Sequence, residues 1–413
     1  MSARKMKDSG IEWIGEMPEE WEVCKLKNVV NFNPSYSENL LEGKEVSFVP
    51  MEYLGNGKFE FQAKPIEAVV KGYNYFANGD IIMAKVTPCF ENGNIAIVKN
   101  LLNGVGFGSS EIYTLRCFGC STKFLFYFLQ NSIFKNRCVS SMYGVAGLKR
   151  IPIKFLQDYK LLMPPFAEQK AIADYLDEKC AAIDRIVASK QKQNEQLAEY
   201  RQSLITEAVT KGLNPSAPTK DSGIDWIAQI PKTWEIIQLK YLFSMYAGGD
   251  VDANDFSTDR TDKFKYPIYS NSLDNEGLFG YMSYYRFCGE TITVTGRGDV
   301  GKAIARNNAF YPIVRLLVCV PKLVVDVRYF TYCINSADLF GDQTAMAQLT
   351  TQKLSAVKVP VPKYTEQKEI ADYLDKKCGE IDALSEHNKN IIESLQEYKQ
   401  SLIYEAVTGK IEL

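Results

Sequence analysis

The chain contains one long stretch twice, and this repeat constrains its fold more than any other feature. The first copy includes EQKAIADYLDEKCAAID and AEYRQSLITEAVT, and the second includes EQKEIADYLDKKCGEID and QEYKQSLIYEAVT. Matched residues such as Cys180 and Cys378 lie 198 positions apart, and the two copies align without insertions or deletions. A proline precedes each copy, and Ala, Leu, Glu, Gln and Lys dominate both. Each copy therefore predicts one long helix.

Apolar residues recur along both predicted helices at steps of four and three, as in a coiled-coil seam. Polar residues interrupt the seam at Lys190, Asn194 and Arg201 in the first copy, and at Ser385, Asn388 and Lys399 in the second. Such residues cost stability, but they fix the register and the partner of a helix. About 46 residues at 1.5 Å each make a rod of about 70 Å. We expect the two helices to act as spacers.

A second repeat shows that the whole chain is a tandem duplication. KDSGIEWIGEMPEEWEVCKLK, from Lys7, matches KDSGIDWIAQIPKTWEIIQLK, from Lys220. The globular regions between the repeats differ in sequence almost throughout, so two variable modules lie inside two nearly identical frames. The predicted parts are a lead-in (1–27), a first module (28–164), a helix (165–212), a linker with a second lead-in (213–240), a second module (241–362) and a second helix (363–413).

Both modules have the pattern of mixed α/β domains. Short strands separated by Gly, Asn and Pro turns are predicted at 46–51, 79–86, 94–99 and 111–116, followed by one helix over 121–138. In the second module, strands are predicted at 267–269, 291–295 and 313–320, and a helix at 326–339. We expect each module to be one compact domain.

Composition argues against most kinds of enzyme and against a membrane protein. The chain has one histidine, His387, which lies on the second predicted helix, so histidine-based hydrolysis would depend on it alone. No apolar run is long enough to span a membrane, and the start of the chain is not a signal peptide. The ten cysteines are scattered, and the lone pair Cys117 and Cys120 has no second pair to complete a zinc site. We expect a cytoplasmic protein that holds no metal.

Two motifs suggest catalysis but lack essential parts. GRGDVGKA, at 296–303, has the spacing of a phosphate-binding loop, but Ala303 stands where a Ser or Thr would hold Mg²⁺. Asn33-Pro-Ser-Tyr36 is similar to an amino-methyltransferase signature, but no glycine-rich strand-turn-helix for S-adenosylmethionine accompanies it. We therefore predict no catalytic residue in this chain.

Charge is unevenly distributed along the chain. The net charge is −2, but the two predicted helices together carry −5 and the first module carries +4. Acidic helices are poor ligands for DNA and reasonable surfaces for docking proteins. The modules are at most mildly basic, so we expect any DNA affinity of the isolated chain to be weak and sensitive to salt.

Polar side chains that can read base edges or contact phosphates lie in turns of both modules. Ordinary turn residues would have the same composition, and that alternative stays open. The candidates for DNA binding are Lys85, Thr87, Asn92, Asn94 and Ser110 in turns of the first module, and Asn271, Arg297, Lys302 and Arg306 in glycine-rich loops of the second. Lys149 and Gln348 are added because they lie just ahead of the predicted long helices.

The whole chain resembles the specificity subunits of type I restriction-modification systems. The resemblance is carried by the paired lead-ins, by a proline and then Glu-Gln at the end of each module, and by the IADYLD…ID…QSLI-EAVT helix that follows. AKVTPCFENGNIAIV with GFGSSE, in the first module, is similar to one subclass of target-recognition domain. The implied fold class is α+β, with two mixed α/β target-recognition domains in a pseudo-twofold tandem repeat, separated by two long antiparallel coiled-coil helices.

The resemblance implies partners and cofactors outside this chain. Each module would read one half of a split, asymmetric site in double-stranded DNA, and the coiled coil would set the gap between the halves. The helices and lead-ins would dock two modification subunits, which carry S-adenosylmethionine and methylate a flipped base. Two ATP- and Mg-dependent restriction subunits join in a complex that also cuts DNA. The docking candidates are Trp13, Trp21, Trp226, Trp234, Glu168 and Glu366.

Two other interpretations stay open at this point. The chain could serve a methylation-only or type IIB-like complex, which the neighbouring genes would reveal. Alternatively, it could be a coiled-coil scaffold with two adaptor domains, and it would then show no salt-dependent DNA binding in any complex.

Overall fold

A computed structural model describes residues 4–412 except 38–42, 146, 225, 253–254, 338 and 340–347. The chain divides into two compact units. Unit 1 consists of residues 1–190 and 390–413, and unit 2 consists of residues 191–389. Each unit therefore contains one module, its lead-in, and parts of both long helices.

Unit 1 has fourteen short strands among its described residues. They are β1 (Met6–Asp8), β2 (Glu16–Pro18), β3 (Glu22–Lys25), β4 (Val30–Phe32), β5 (Glu45–Val49), β6 (Gln62–Pro65), β7 (Asn74–Ala77), β8 (Ile81–Ala84), β9 (Ile95–Ile97), β10 (Val105–Gly108), β11 (Ile112–Cys117), β12 (Tyr143–Val145), β13 (Leu148–Arg150) and β14 (Lys160–Met163).

Two four-stranded sheets form the body of unit 1. One has the order β6-β5-β10-β7, in which only β5 and β10 are parallel, and the other has the antiparallel order β4-β11-β8-β9. Strand β8 is the apolar run IIMA and is buried along its whole length, as expected for the interior of a sheet. Two-stranded pairs β1-β2, β3-β14 and β12-β13 complete the unit.

The helices of unit 1 are α1 (Ile66–Val69), α2 (Thr122–Phe128), α3 (Ser132–Ser141), α4 (Ile153–Asp158) and the first part of α5 (Phe166–Lys211). The single helix predicted over 121–138 is wrong, because two helices occupy this region. Asn131 separates them: its side-chain oxygen accepts a hydrogen bond from the backbone N–H of Phe134, 2.8 Å away, and so caps α3.

Unit 2 repeats this plan with different lengths. Its strands are β15 (Thr219–Ile224), β16 (Ile227–Pro231), β17 (Glu235–Gln238), β18 (Phe243–Ala247), β19 (Phe256–Ser257), β20 (Tyr266–Tyr269), β21 (Leu278–Met282), β22 (Thr291–Thr295), β23 (Ala303–Arg306), β24 (Tyr311–Pro312), β25 (Leu316–Pro321) and β26 (Lys358–Val361). Its helices are α6 (Leu239–Leu242), α7 (Val327–Ser336), α8 (Thr351–Ala356) and the first part of α9 (Tyr364–Val407).

Three sheets of unit 2 correspond to sheets of unit 1, whereas its second four-stranded sheet, β19-β21-β20-β24, has a different pattern of strand directions. The order β18-β25-β22-β23 matches β4-β11-β8-β9, and both sheets are antiparallel throughout. The pair β17-β26 matches β3-β14, and the lead-in hairpin β15-β16 matches β1-β2. Two modules that share little sequence therefore have equivalent main sheets.

The two long helices pack antiparallel in each unit. In unit 1, the carboxylate of Asp184 on α5 lies 2.7 Å from Nζ of Lys399 on α9. In unit 2, Oδ1 of Asp382 lies 3.0 Å from Nε of Arg201, and Asn388 donates a 3.0 Å hydrogen bond to Oδ1 of Asn194. Four of the polar seam residues, Asn194, Arg201, Asn388 and Lys399, are therefore paired with one another or with acids across the seam. These pairs fix one register, as the sequence predicted.

Each core joins a lead-in to the helices. Trp21 is completely buried in unit 1 with Leu176 of α5 and Leu402 of α9, and Trp234 is completely buried in unit 2 with Ile205 and Leu374. Burying an indole ring of this kind stabilises a domain by about 2–3 kcal/mol. The matched tryptophans therefore attach each lead-in to both long helices.

The predicted fold class is confirmed: the structure has two mixed α/β domains in tandem, with α5 and α9 packed together. Among the described residues, no helix combines the length and the apolarity that a membrane crossing requires.

Candidate nucleic-acid interface

Three separate segments of unit 1 meet beside the end of β8, and we call them edge 1: residues 85–92, 109–111 and 143–150 without residue 146. The backbone N–H of Lys85 donates to the carbonyl of Glu111 at 3.0 Å. The carbonyl of Lys85 accepts from Ile151 at 2.9 Å, and the N–H of Thr87 donates to the carbonyl of Lys149 at 3.0 Å. Backbone hydrogen bonds therefore hold the three segments together, whatever side chains they carry.

A charged cluster lies on edge 1. The guanidinium of Arg150 makes a bidentate pair with Glu111, with Nη2 at 2.6 Å from Oε1 and Nε at 2.9 Å from Oε2. Nζ of Lys85 lies 3.9 Å from the same carboxylate. Hydrogen bonding to Arg150, with a smaller contribution from Lys85, lowers the pKa of Glu111 below its ordinary value. The carboxylate is therefore ionised at neutral pH and fixes the plane of the guanidinium.

Thr87 has a structural role on edge 1, and its assignment as a DNA contact stays a prediction. Its side chain is buried, and its hydroxyl donates to the carbonyl of Gly147 at 2.8 Å. The same oxygen accepts from the backbone N–H of Lys149 at 3.0 Å. Because both partners belong to the β12–β13 hairpin, Thr87 holds that hairpin in place.

The other candidates of the first module occupy different environments. Lys149 and Ser110 are exposed on edge 1, and Asn92 is exposed in the turn after β8. Asn94 instead lines a small cavity of about 20 Å³ with Gln130 and Lys135, beside helices α2 and α3. Edge 1 therefore brings together Lys85, Ser110 and Lys149, and Asn94 lies at another place.

Two exposed residues of edge 1 were missed from the sequence. Tyr143 is 70% exposed and Leu148 is 44% exposed, although both are large and apolar. Both lie in the β12–β13 hairpin, in which Tyr143 pairs with Arg150 and Leu148 pairs with Val145. The run SSMYGVAGLKR carried the signal, because a glycine-containing turn lies between two short apolar stretches.

The corresponding surface of unit 2, edge 2, consists of residues 296–302, 313–315 and 348–349. The N–H of Leu349 donates to the carbonyl of Gly296 at 3.1 Å. Gly296 is packed so closely that a Cβ on it would collide with the carbonyl oxygen of Arg315 and lie 3.1 Å from that of Leu349. The side chain of Asn271 accepts a hydrogen bond from the N–H of Gly296 at 2.9 Å. Asn271 thus positions the loop, and glycine is required where the segments meet.

The glycine-rich loop of edge 2 is a turn between β22 and β23. Its ends are tied together by the N–H of Lys302, which donates to the hydroxyl of Thr295 at 2.9 Å. No helix follows the loop, because residues 303–306 form β23, so the arrangement of a phosphate-binding loop is absent. The side chains of Arg297, Lys302 and Gln348 are exposed on this edge, as is Arg315, which the sequence prediction omitted.

Arg306 is a buried residue of unit 2, and its assignment as a DNA contact stays a prediction. Its guanidinium carbon lies 3.6 Å from the centre of the Tyr269 ring. Its Nη2 donates to the carbonyl of Glu276 at 2.6 Å and its Nε to the hydroxyl of Thr293 at 3.2 Å. Burial lowers the pKa of Arg306, against the opposing effect of Tyr269 and Glu276. The guanidinium of Arg306 therefore has its partners, Tyr269, Glu276 and Thr293, inside unit 2.

The two edges are equivalent in their backbone construction. Ile151 and Leu349 lie ahead of the repeated helices and are also 198 positions apart. Both are 1% exposed, and both donate to the first residue after the corresponding strands β8 and β22. Helices α4 and α8 follow at matched positions. The same scaffold therefore presents different side chains in the two units.

The tryptophans predicted to dock partners divide into two kinds. Trp21 and Trp234 are completely buried in their own units, and their assignment as docking residues stays a prediction. Trp13 and Trp226 are half-buried. Glu168 accepts a hydrogen bond from Nε1 of Trp21 at 2.9 Å and pairs with Arg4 at 2.7 Å, so it secures the lead-in. Its counterpart Glu366 is half-buried.

The described residues contain no group of three or more His, Cys, Asp or Glu side chains that could hold a metal ion. What the edges offer is hydrogen-bond donors and positive charge on rigid turns. That chemistry suits the recognition of an anionic polymer with polar edges, such as DNA.

Two units with equivalent main sheets, each with a polar edge made from equivalent segments and each including parts of both long helices, define a two-module recognition protein. Comparisons with known proteins identify the family to which the chain belongs. A family model described as the type I restriction modification DNA specificity domain matches residues 18–199 and 231–396. The chain belongs to this family, which is one of specificity subunits rather than catalytic subunits.

Individual relatives are similar over different lengths. The type I restriction enzyme EcoAI specificity subunit of Escherichia coli is 34% identical over 201 residues, which cover 47% of this chain and 34% of that relative. The chain thus matches about a third of the length of the EcoAI subunit. The type I restriction enzyme MjaVIII specificity subunit of Methanocaldococcus jannaschii is 21% identical and is covered to 94%, with 96% of this chain.

A solved structure shows the same fold. A chain from work on complex assembly and conformational transition of the type I R-M system superposes with a TM-score of 0.77. It is 15% identical in sequence, and the match covers 96% of this chain and 99% of that one. At this identity the likeness concerns the fold alone.

Proposed function

We propose that each unit reads one half of a split, asymmetric site in double-stranded DNA, through edge 1 and edge 2. The observation that carries the proposal is the equivalence of the two edges. Each is held by the same backbone hydrogen bond, from Ile151 or from Leu349, yet the exposed side chains differ. A constant scaffold with variable contacts is what two recognition modules for two different sequences need.

The exposed side chains have the chemistry that this reading requires. Arginine and lysine donate to guanine edges and to phosphates, glutamine pairs with adenine, and serine contacts phosphates. Edge 1 carries the exposed Ser110, Lys149 and Arg150 beside the half-buried Lys85, and edge 2 carries Arg297, Lys302, Arg315 and Gln348. With so few cations on each edge, we expect weak binding by the chain alone and tight binding in a complex.

We further propose that the helical frame sets the gap between the half-sites and docks the catalytic partners. Two modification subunits would bind the frame and supply S-adenosylmethionine, and they would methylate a base flipped from the duplex. Two restriction subunits would add ATP- and Mg-dependent cleavage where the complex contains them. The chain itself performs no catalytic step in this proposal, and the complex works on DNA in the cytoplasm.

The proposal is tested by sequencing modified bases in a methylation-free host that expresses this chain with its neighbouring modification gene. We expect methylation at a motif of two unlike halves separated by a constant number of unread base pairs. A complex that assembles but methylates nothing would contradict DNA recognition and favour a protein scaffold. Methylation of a single continuous motif would contradict the two-unit reading.

A further inference from the structure

We propose that Arg150 and Gln348 are base-reading residues at equivalent positions, Arg150 for a guanine in one half-site and Gln348 for an adenine in the other. This inference rests on the proposed function and adds a specificity position to it. It comes from three observations: the matched positions of the two residues, the way Arg150 is held, and the exposure of both side chains.

The two residues occupy the same place in the two units. They are 198 positions apart, the offset that also relates helices α4 and α8, and each directly precedes the buried residue that anchors its edge, Ile151 or Leu349. Those residues donate to the carbonyls of Lys85 and Gly296, at 2.9 and 3.1 Å. Because this hydrogen bond fixes the backbone of the next residue, the Cα positions of Arg150 and Gln348 are well defined. The backbone of the two edges thus has one equivalent position, which holds arginine in unit 1 and glutamine in unit 2.

Arg150 is held so that one edge of its guanidinium stays available. Glu111 accepts from Nε and Nη2, and 43% of the Arg150 side chain is exposed. A guanidinium has five N–H donors, so both N–H groups of Nη1 and the outer N–H of Nη2 remain for another partner. Two parallel donors in one plane match O6 and N7 of guanine, and this is the bidentate contact that arginine makes in the major groove.

Gln348 is the corresponding side chain of edge 2. Its side chain is exposed, and it directly precedes the buried residue Leu349 that anchors edge 2. The amide of glutamine donates to N7 and accepts from N6 of adenine, a pairing that arginine cannot make. Lys85 and Lys149 on edge 1, and Lys302 on edge 2, are single-point charges and suit phosphates better.

The test exchanges the two side chains in the full chain and keeps the complex with its modification subunits. In Arg150→Gln, we expect the methylated motif to lose its preference for G·C at one position of one half-site, by about 10-fold or more. In Gln348→Arg, we expect the preference for A·T to fall by a similar factor at one position of the other half-site. Matched controls are Arg137→Gln and Gln352→Arg, which make the same changes at exposed residues outside the edges.

Two results would overturn the assignment. If both variants keep every base preference of the parent motif, the residues do not read bases. If Arg150→Gln weakens the binding of all half-site duplexes by one common factor, Arg150 contacts phosphate instead. Relative binding of duplexes that differ at single positions measures this even when methylation is too slow to sequence. Failure of the proposed function itself would be visible separately, because the complex that contains the parent chain would then methylate no split motif.

Discussion

The matched tryptophans Trp21 and Trp234 differ in one hydrogen bond, and this difference predicts unequal costs for the same substitution. Nε1 of Trp21 donates to Glu168 at 2.9 Å. Nε1 of Trp234 is buried without a hydrogen-bond partner among the residues that the structure describes. Both rings are completely buried. Replacing each with phenylalanine therefore removes similar apolar surface but has opposite effects on polar groups.

The magnitudes follow from these contacts. Loss of part of the ring and the space left behind cost about 2 kcal/mol in either unit. Trp21→Phe also removes a hydrogen bond to a charged acceptor, at about 1.5–3 kcal/mol, so the total is about 3–5 kcal/mol. Trp234→Phe removes an unsatisfied buried N–H, which returns about 1–3 kcal/mol. The net effect in unit 2 should therefore lie between a gain and a loss of about 1 kcal/mol.

Hydrogen exchange followed by mass spectrometry gives the opening free energy of each unit in the intact chain. The peptides to follow are 166–190 for unit 1 and 364–389 for unit 2, since both helix segments pack on the substituted rings. Glu168→Gln is the control, because it keeps the acceptor and removes its charge, and it should cost less than Trp21→Phe. Equal destabilisation of the two units by the two tryptophan variants would refute this reasoning.

Three further predictions concern charges on the edges and the frame. Lys149→Ala should weaken DNA binding by the assembled complex equally for all sequences and reduce the slope of log K against log salt by about 1; a change in base preference would argue against a phosphate contact. Arg201→Asp should destabilise unit 2 by about 0.5–1 kcal/mol in hydrogen exchange, and the double reversal with Asp382→Arg should restore it. The pKa of Glu111 is lowered in the folded chain, so its pairing stabilises unit 1 fully above the ordinary glutamate value of 4.5 and is lost as pH falls through the lowered pKa. The stability difference between the parent chain and Glu111→Gln, about 1 kcal/mol, should therefore be constant at neutral pH and shrink only below about pH 4.5.

The repeated parts of the fold could be predicted from the sequence because their signals are local. The long helices were expected at 165–212 and 363–413, and they are found at Phe166–Lys211 and Tyr364–Val407. Strand β22 lies at the predicted residues 291–295. Strand β25 begins later than predicted, at Leu316, because Arg315 has a positive φ of 71° and ends the preceding turn. Periodicity cannot reveal such a turn in a residue other than glycine.

The candidate site was predicted only in part, because it depends on contacts between distant segments. Thr87 and Arg306 have the right chemistry for DNA, yet both are buried by partners that are far away in sequence. Arg150 was missed for the opposite reason. Nothing near it in the chain shows that Glu111 orients it, since that pair joins residues 39 positions apart. Side-chain chemistry in a turn identifies possible contacts, and only the fold shows which are displayed.

Exchange of the first module tests the central claim most directly. Residues 28–164 would be replaced with the corresponding module of a relative, and the modified bases of the host would be sequenced before and after. We predict that one half of the methylated motif changes, while the other half and the methylated base in it stay the same. A motif that is unchanged, or that changes in both halves, would contradict the claim that each unit reads its own half-site.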